Sequence, residues 1–137
     1  MKVIDLKNIK LASINGKYDY NPKTGKLFLS PEYRKFKKFL IDEIKSNTKL
    51  TINPPYYVEI RVKTYLDIDN CVKVILDACE ESGVIDNDKH VYGLLVLKEE
   101  LKKGTKSSLE VHVSELEGMA DYITGDEYER NSTLQSI

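Results

Sequence analysis

Tyr56-Tyr57-Val58-Glu59-Ile60-Arg61-Val62-Lys63-Thr64-Tyr65 runs into Leu66-Asp67-Ile68-Asp69 and then into the segment from Asn70 to Ser82, closed by Gly83. The first ten residues alternate and are rich in β-branched and aromatic side chains, which predicts a strand. The next thirteen predict a helix, with Gly83 as its C-terminal cap. A strand followed directly by a helix sets the fold class, and the rest of the chain supplies more of both.

Upstream, Lys2 to Leu11 places Val3, Ile4, Leu6, Ile9 and Leu11 among polar residues and predicts a first strand. Lys17-Tyr18-Asp19-Tyr20 and Lys26-Leu27-Phe28-Leu29 flank Asn21-Pro22-Lys23-Thr24-Gly25, whose turn chemistry predicts a hairpin. Ser30-Pro31-Glu32 is a helix start: a hydroxyl N-cap, a proline in the first turn and an acid beside it. Tyr33, Phe36, Phe39, Leu40 and Ile44 recur behind it at helical spacing, with Arg34, Lys35, Lys37 and Lys38 on the other side. Downstream, Val91 to Leu97 and Ser108 to Val113 predict two more strands. The expected architecture is a small α+β domain, a mixed sheet with two packed helices. It should span residues 1–115, leaving 116–137 as an acidic, frayed tail.

A chain of 137 residues fits one domain. Its 41% hydrophobic and 31% charged residues match an ordinary globular protein, and no apolar run approaches the roughly 20 residues of a membrane span. Met1-Lys2-Val3-Ile4-Asp5 does not open a secretory signal, so the expected compartment is the cytoplasm. Cys71 and Cys79, eight residues apart on one helix, would stand about 12 Å apart, beyond disulfide reach. They lack zinc-site companions and are expected to be buried. The net charge of −1 hides an asymmetry: residues 1–49 carry 12 Lys/Arg against 5 Asp/Glu, whereas residues 50–115 carry 8 against 12 and residues 116–137 carry 1 against 5. A basic N-terminal third suits phosphate contacts, and the acidic centre suits a metal site.

That centre holds Asp67 and Asp69 before the second helix, Lys73 one turn inside it and Asp88 five residues beyond Gly83. Carboxylate oxygens hold hard cations such as Mg²⁺, and two carboxylates one residue apart at a strand end project to the same side. Asp69 or Asn70 could also serve only as a helix cap, which would leave Asp67 unexplained. Lys73, four residues after Asp69, could steady a carboxylate or offer its ammonium to a phosphate in the transition state. An EF-hand loop counted from Asp67 fails at Val72 and Ala78, and one counted from Asp86 fails at Val91 and Leu97. A haloacid-dehalogenase-type Asp-x-Asp is disfavoured by Asn70-Cys71 and by the small domain. His90 and His112 stand alone and read as ordinary surface or strand residues. The tyrosines read as packing residues, with Tyr18 and Tyr20 the two placed to touch nucleic acid.

The ordered set Asp67-x-Asp69-Asn70-x-x-Lys73, Asp77, Gly83, Asp88, Val91 and Lys98 resembles the RusA family of Holliday-junction resolvases, crossover-junction endodeoxyribonucleases of bacteria and their phages. Asn15-Gly16-Lys17-Tyr18 is similar to the family's N-terminal segment, and Ser30 to Arg34 to its Ser-started helix, so the resemblance spans about residues 3 to 115. It implies a homodimer that binds a four-way DNA junction and, with Mg²⁺, nicks two opposing strands symmetrically in recombination and repair. It implies Asp67, Asp69 and Asp88 as catalytic metal ligands and Lys73 as the essential lysine; the basic N-terminal third offers Lys17, Lys23, Lys26 and the face from Arg34 to Lys38 as phosphate contacts, and Asn15 and Asn70 are further candidate DNA contacts. Two departures stand out. Lys63-Thr64-Tyr65-Leu66 replaces a run that is often arginine-rich, and Asn87-Asp88 replaces paired aspartates, which leaves open whether Asp86 assists. The alternatives are a flap or fork nuclease, or a catalytically silent junction binder; the latter should have lost an aspartate or the lysine, and none is lost.

Overall fold

The computed structural model describes residues 1–11, 18–49, 51–67 and 69–116; the side chains of residues 18–20, 28–29 and 69–70 are not among those described. The order of elements is β1 (Lys2–Ile9), β2 (Tyr18–Asn21), β3 (Lys26–Leu29), α1 (Pro31–Asn47), β4 (Tyr56–Thr64), α2 (Asp69–Ser82), a 3-10 turn (Asp88–His90), β5 (Val91–Glu100) and β6 (Ser107–Glu115). Four strands form a mixed sheet in the order β1-β6-β4-β5, and β2-β3 make a separate hairpin. β4 and β5 are parallel and joined through α2; β6 returns antiparallel between β4 and β1. The small α+β fold with two helices on a mixed sheet is as the sequence predicts.

β4 organises the core. Tyr56, Val58, Ile60, Val62 and Thr64 are buried on its helix side, while Tyr57, Glu59, Arg61 and Lys63 face away. Leu109, Val111 and Val113 of β6 continue the buried face, and α1 closes over it with Tyr33, Phe36, Leu40 and Ile44. Cys71, Val74, Ile75, Ala78 and Cys79 of α2 complete the same cluster. Both cysteines are buried, and burial pushes the Cys79 thiol up to about 12, so it stays protonated.

Three local devices aim the chain at its acidic centre. Ser30 caps α1, its Oγ accepting from the Tyr33 N–H at 3.2 Å. Thr64, fully buried at the end of β4, accepts from Ser107 Oγ at 2.9 Å and from the Leu66 N–H at 3.2 Å. That satisfies a buried hydroxyl pair and turns the chain toward α2. Gly83, at φ 87°, ends α2 in a conformation that a side chain would strain. Beyond it the Ile85 N–H returns to the Cys79 carbonyl at 3.2 Å, and the chain doubles back along α2. At the other end of the domain the Leu116 N–H donates to the Pro55 carbonyl at 2.9 Å. Residues 117–137, the expected tail, lie outside the described residues, and no described helix is long and apolar enough to cross a membrane.

Candidate functional site

The doubling back after Gly83 brings Asp88 to Lys73. Asn87 caps the 3-10 turn by accepting from the Lys89 N–H at 3.0 Å, and Glu80 of α2 accepts from the Asp88 N–H at 2.8 Å. The turn is thereby tied to the face of α2 that carries the lysine. Lys73 Nζ then lies 3.3 Å from Asp77 Oδ1 and 3.8 Å from Asp88 Oδ2. Asp77 is anchored from the opposite side, because the Tyr33 hydroxyl donates to its Oδ2 at 2.6 Å. Lys37, one turn along α1, reaches over the Tyr33 ring and pairs with Glu81 at 2.6 Å, which draws the basic face of α1 to the edge of α2.

The hydrogen bond to Asp77 raises the Lys73 pKa above its ordinary value, followed by the charges of Asp77, Asp88 and Glu80 against a small burial penalty. These acids favour the ammonium form, which suits Lys73 to an electrostatic role. Asp77 lies within hydrogen-bond reach of the ammonium and Asp88 at ion-pair distance, so a half-exposed Lys73 retains donor capacity for a phosphate oxygen.

Asp67 is exposed on the connection from β4 to α2, and among the described residues it forms no ion pair. The Asp69 and Asn70 side chains lie outside the described residues, as do Asn15 and Lys17 and the side chains of Tyr18 and Tyr20. Among the described residues no three His, Cys, Asp or Glu side chains are gathered as a metal cluster. Lys26 and Arg34 are both exposed, Lys26 on the hairpin and Arg34 in the first turn of α1. Asp86 is turned elsewhere: its Oδ1 lies 2.7 Å from His90 Nδ1, and that hydrogen bond holds its carboxyl below the usual range. The Asp86 N–H donates to the Tyr56 hydroxyl at 3.1 Å.

Two residues of this corner escape a sequence reading. Tyr33 reads as a packing residue because its ring belongs to the core stripe of α1, and nothing local reveals that its hydroxyl meets α2 across 44 positions. Glu80 reads as a solvated acid, although it fixes the backbone before β5. Asp77 carried a visible signal, four residues after Lys73 on the same helix.

A concavity of about 800 Å³ lies on the helix-free face of the sheet, lined by residues of β1, β4, β5 and β6 that include Asp5, Arg61, Lys63, Leu97 and Glu110. It is on the other side of β4 from the lysine corner and shares none of its residues.

The family model described as endodeoxyribonuclease RusA matches residues 12–114. That match includes β2 through most of β6 and every residue of the corner. No curated protein matches the chain.

Proposed function

The chain belongs to the RusA family of endodeoxyribonucleases, which resolve Holliday junctions, and on that premise we propose that it is a Mg²⁺-dependent resolvase that nicks a four-way junction in symmetric pairs as a homodimer. The observation that supports this reading best is the Lys73–Asp88 pair, brought together from α2 and the 3-10 turn. Residues 1–115 form the nuclease unit in this reading, with 116–137 appended, and its setting is the cytoplasm of a bacterium or phage-infected cell.

Nucleases of this family generally depend on divalent metal. The donor chemistry fits a hard cation: the acids around Lys73 offer carboxylate oxygen, while both thiols are buried and the nearest imidazole, His90, is engaged by Asp86. Asp67, Asp69 and Asp88 are the residues proposed to hold it. Mg²⁺, when bound, supplies charge neutralisation at the scissile phosphate and a more acidic water. The chain's own contribution is to orient the substrate and to place a fixed ammonium. Lys73, steadied by Asp77, donates to a non-bridging phosphate oxygen as its charge grows in the transition state. Asn15, Lys17, Lys26, Arg34 and Asn70 are proposed to grip the junction arms, with the basic third of the chain supplying the attraction to phosphate.

A synthetic four-way junction incubated with the protein in Mg²⁺ and in EDTA tests this. Paired nicks at opposing strands in Mg²⁺ alone are expected. Binding without nicking in Mg²⁺ would replace the enzyme by a junction binder, and preferred cutting of flaps or forks would reassign the substrate.

A further inference from the structure

Among the described residues β5 is an edge strand of ten residues that leaves large apolar side chains exposed on both faces. Tyr92, Leu94, Leu95 and Leu97 are 49%, 46%, 38% and 46% exposed. Leu94 lies beside Val58 on the helix side, and Leu95 and Leu97 lie beside Glu59 and Arg61 on the helix-free side. The opposite edge of the sheet is guarded. β1 exposes Lys2, Asp5 and Lys7, and its pairing is broken by two register shifts, with Asn8 at φ 57°. Charges and irregular backbone are how proteins protect an edge from pairing with another chain. β5 has neither in its apolar stretch: its one register shift falls at the start, and Gly93 to Leu97 hold no charge and no proline.

We propose that the free edge of β5 pairs with β5 of a second copy, antiparallel about a twofold axis at Leu95, so that two sheets become one of eight strands. This rests on the reading of the protein as a homodimer and says where the two copies meet. The charge pattern selects the occupant and the register. An axis at Leu95 sets Leu94 against the partner's Val96, Gly93 against the partner's Leu97, Tyr92 against the partner's Lys98 and His90 against the partner's Glu100. Moving the axis to Leu94 would oppose His90 to the partner's Lys98 and Asp88 to the partner's Glu100. Moving it to Val96 would put Leu94 against the partner's Lys98. Parallel pairing would set Glu99 and Glu100 beside their own copies. The axis at Leu94 also pairs the apolar run with itself but opposes like charges beyond it, whereas the axis at Leu95 keeps Gly93 to Leu97 paired with its own copy and opposes no like charges, with Val91 set against the partner's Glu99. A twofold axis that continues a sheet antiparallel stands normal to it, so both helical layers, and with them both Lys73–Asp88 corners, lie on the same side. One junction can then meet both.

The test uses the full chain without DNA or metal. Sedimentation of the wild type is expected to show a dimer, and Leu95→Arg, at an exposed position, is expected to raise its dissociation constant at least tenfold while circular dichroism stays unchanged. Residues directly opposite in an antiparallel pair have Cα atoms about 4.5–5.5 Å apart, within disulfide range. Because Cys71 and Cys79 are buried, Leu95→Cys is expected to yield a covalent dimer under mild oxidation. A dimer that survives Leu95→Arg and does not cross-link through Leu95→Cys overturns the pairing and leaves the nuclease reading standing. A wild type that stays monomeric at every concentration, its β5 covered by residues 117–137 or by nothing, overturns it as well. Failure of the wild type to nick junctions overturns the nuclease reading and leaves this dimer intact.

Discussion

The helix-free face of the sheet and the corner between α2 and the 3-10 turn are both crowded with charge, but the charges are organised differently. On the open face, opposite signs are neighbours in the strand register. Arg61 bonds Glu59 at 2.8 Å, Lys2 spans Glu110 at 3.4 Å and Asp5 at 3.5 Å, and Lys63 stands 4.0 Å from Glu99. Each charge is answered locally by a residue one strand away or two or three positions along. At the corner, Asp77, Glu80 and Asp88 gather around Lys73, drawn from α2 and the turn before β5. Acid is in excess there, and the residues converge only because the chain folds back. Local neutrality satisfies a surface; a convergent excess of one sign costs stability and calls for a cation or a substrate to offset it.

The comparison breaks most decisively at the carboxylates. Asp67→Asn or Asp88→Asn is expected to lower junction nicking by on the order of a thousandfold or more while junction binding holds or tightens, since charge near phosphate is removed. Asp67→Asn should leave the melting temperature nearly unchanged, because this exposed side chain forms no ion pair among the described residues. Nicking and filter-binding assays on the same samples decide it; a loss of binding that parallels the loss of nicking would remove the metal role.

Next in size is Lys73→Met, expected to slow cleavage roughly a hundredfold with little change in thermal stability. Lys73→Arg should rescue poorly, because a planar guanidinium cannot replace the compact ammonium between Asp77 and Asp88. Normal single-turnover rates for Lys73→Met would return the lysine to a structural ion pair and erase the contrast with the open face.

A smaller effect is expected for the basic third. Lys17→Ala or Lys26→Ala should each reduce the log–log salt slope of junction binding by about one unit. Arg61→Ala, on the balanced face, should leave that slope unchanged. A slope altered by Arg61 and untouched by Lys17 and Lys26 would move the DNA to the other side of the sheet.

The smallest effect belongs to Glu110. Hydrogen bonding from His112, and then the contact with Lys2, hold its carboxyl below the ordinary value of 4.5. A depressed carboxylate stabilises the fold above its unfolded pKa and loses that contribution as pH falls through its folded pKa. Glu110→Gln should therefore lower the melting temperature by less than about 5 °C near neutrality. The difference should close as the buffer is taken below about pH 4. A gap that persists in acid would mean that packing, not charge, supplies the effect.

Much of the fold was legible because its signals are local. Ser30-Pro31 predicted the start of α1, alternation predicted β4, and Gly83 predicted the end of α2. β5 extends to Glu100 rather than Leu97, since its parallel ladder with β4 carries polar residues beyond the apolar run that marked it. The 3-10 turn at Asp88–His90 was invisible, as three residues have no periodicity. The strand order depends on pairing across long separations, which spacing does not encode. At the site, Asp67, Asp69, Lys73 and Asp88 drew notice through spacing and resemblance. The clasp by Tyr33 and Glu80 did not, because an aromatic core residue and a surface acid look the same whether or not their polar ends are used.

The first turn of α1 has one more implication, for engineering. Ser30 starts the helix and, through the same three-residue interval, sets the angle at which the Tyr33 hydroxyl approaches Asp77. Helix initiation and the posture of the lysine are thus a single trait. Redesign of this N-terminus for greater thermal resistance should be screened by turnover as well as by melting, because an improved cap that rotates Tyr33 by a few degrees would trade one property against the other.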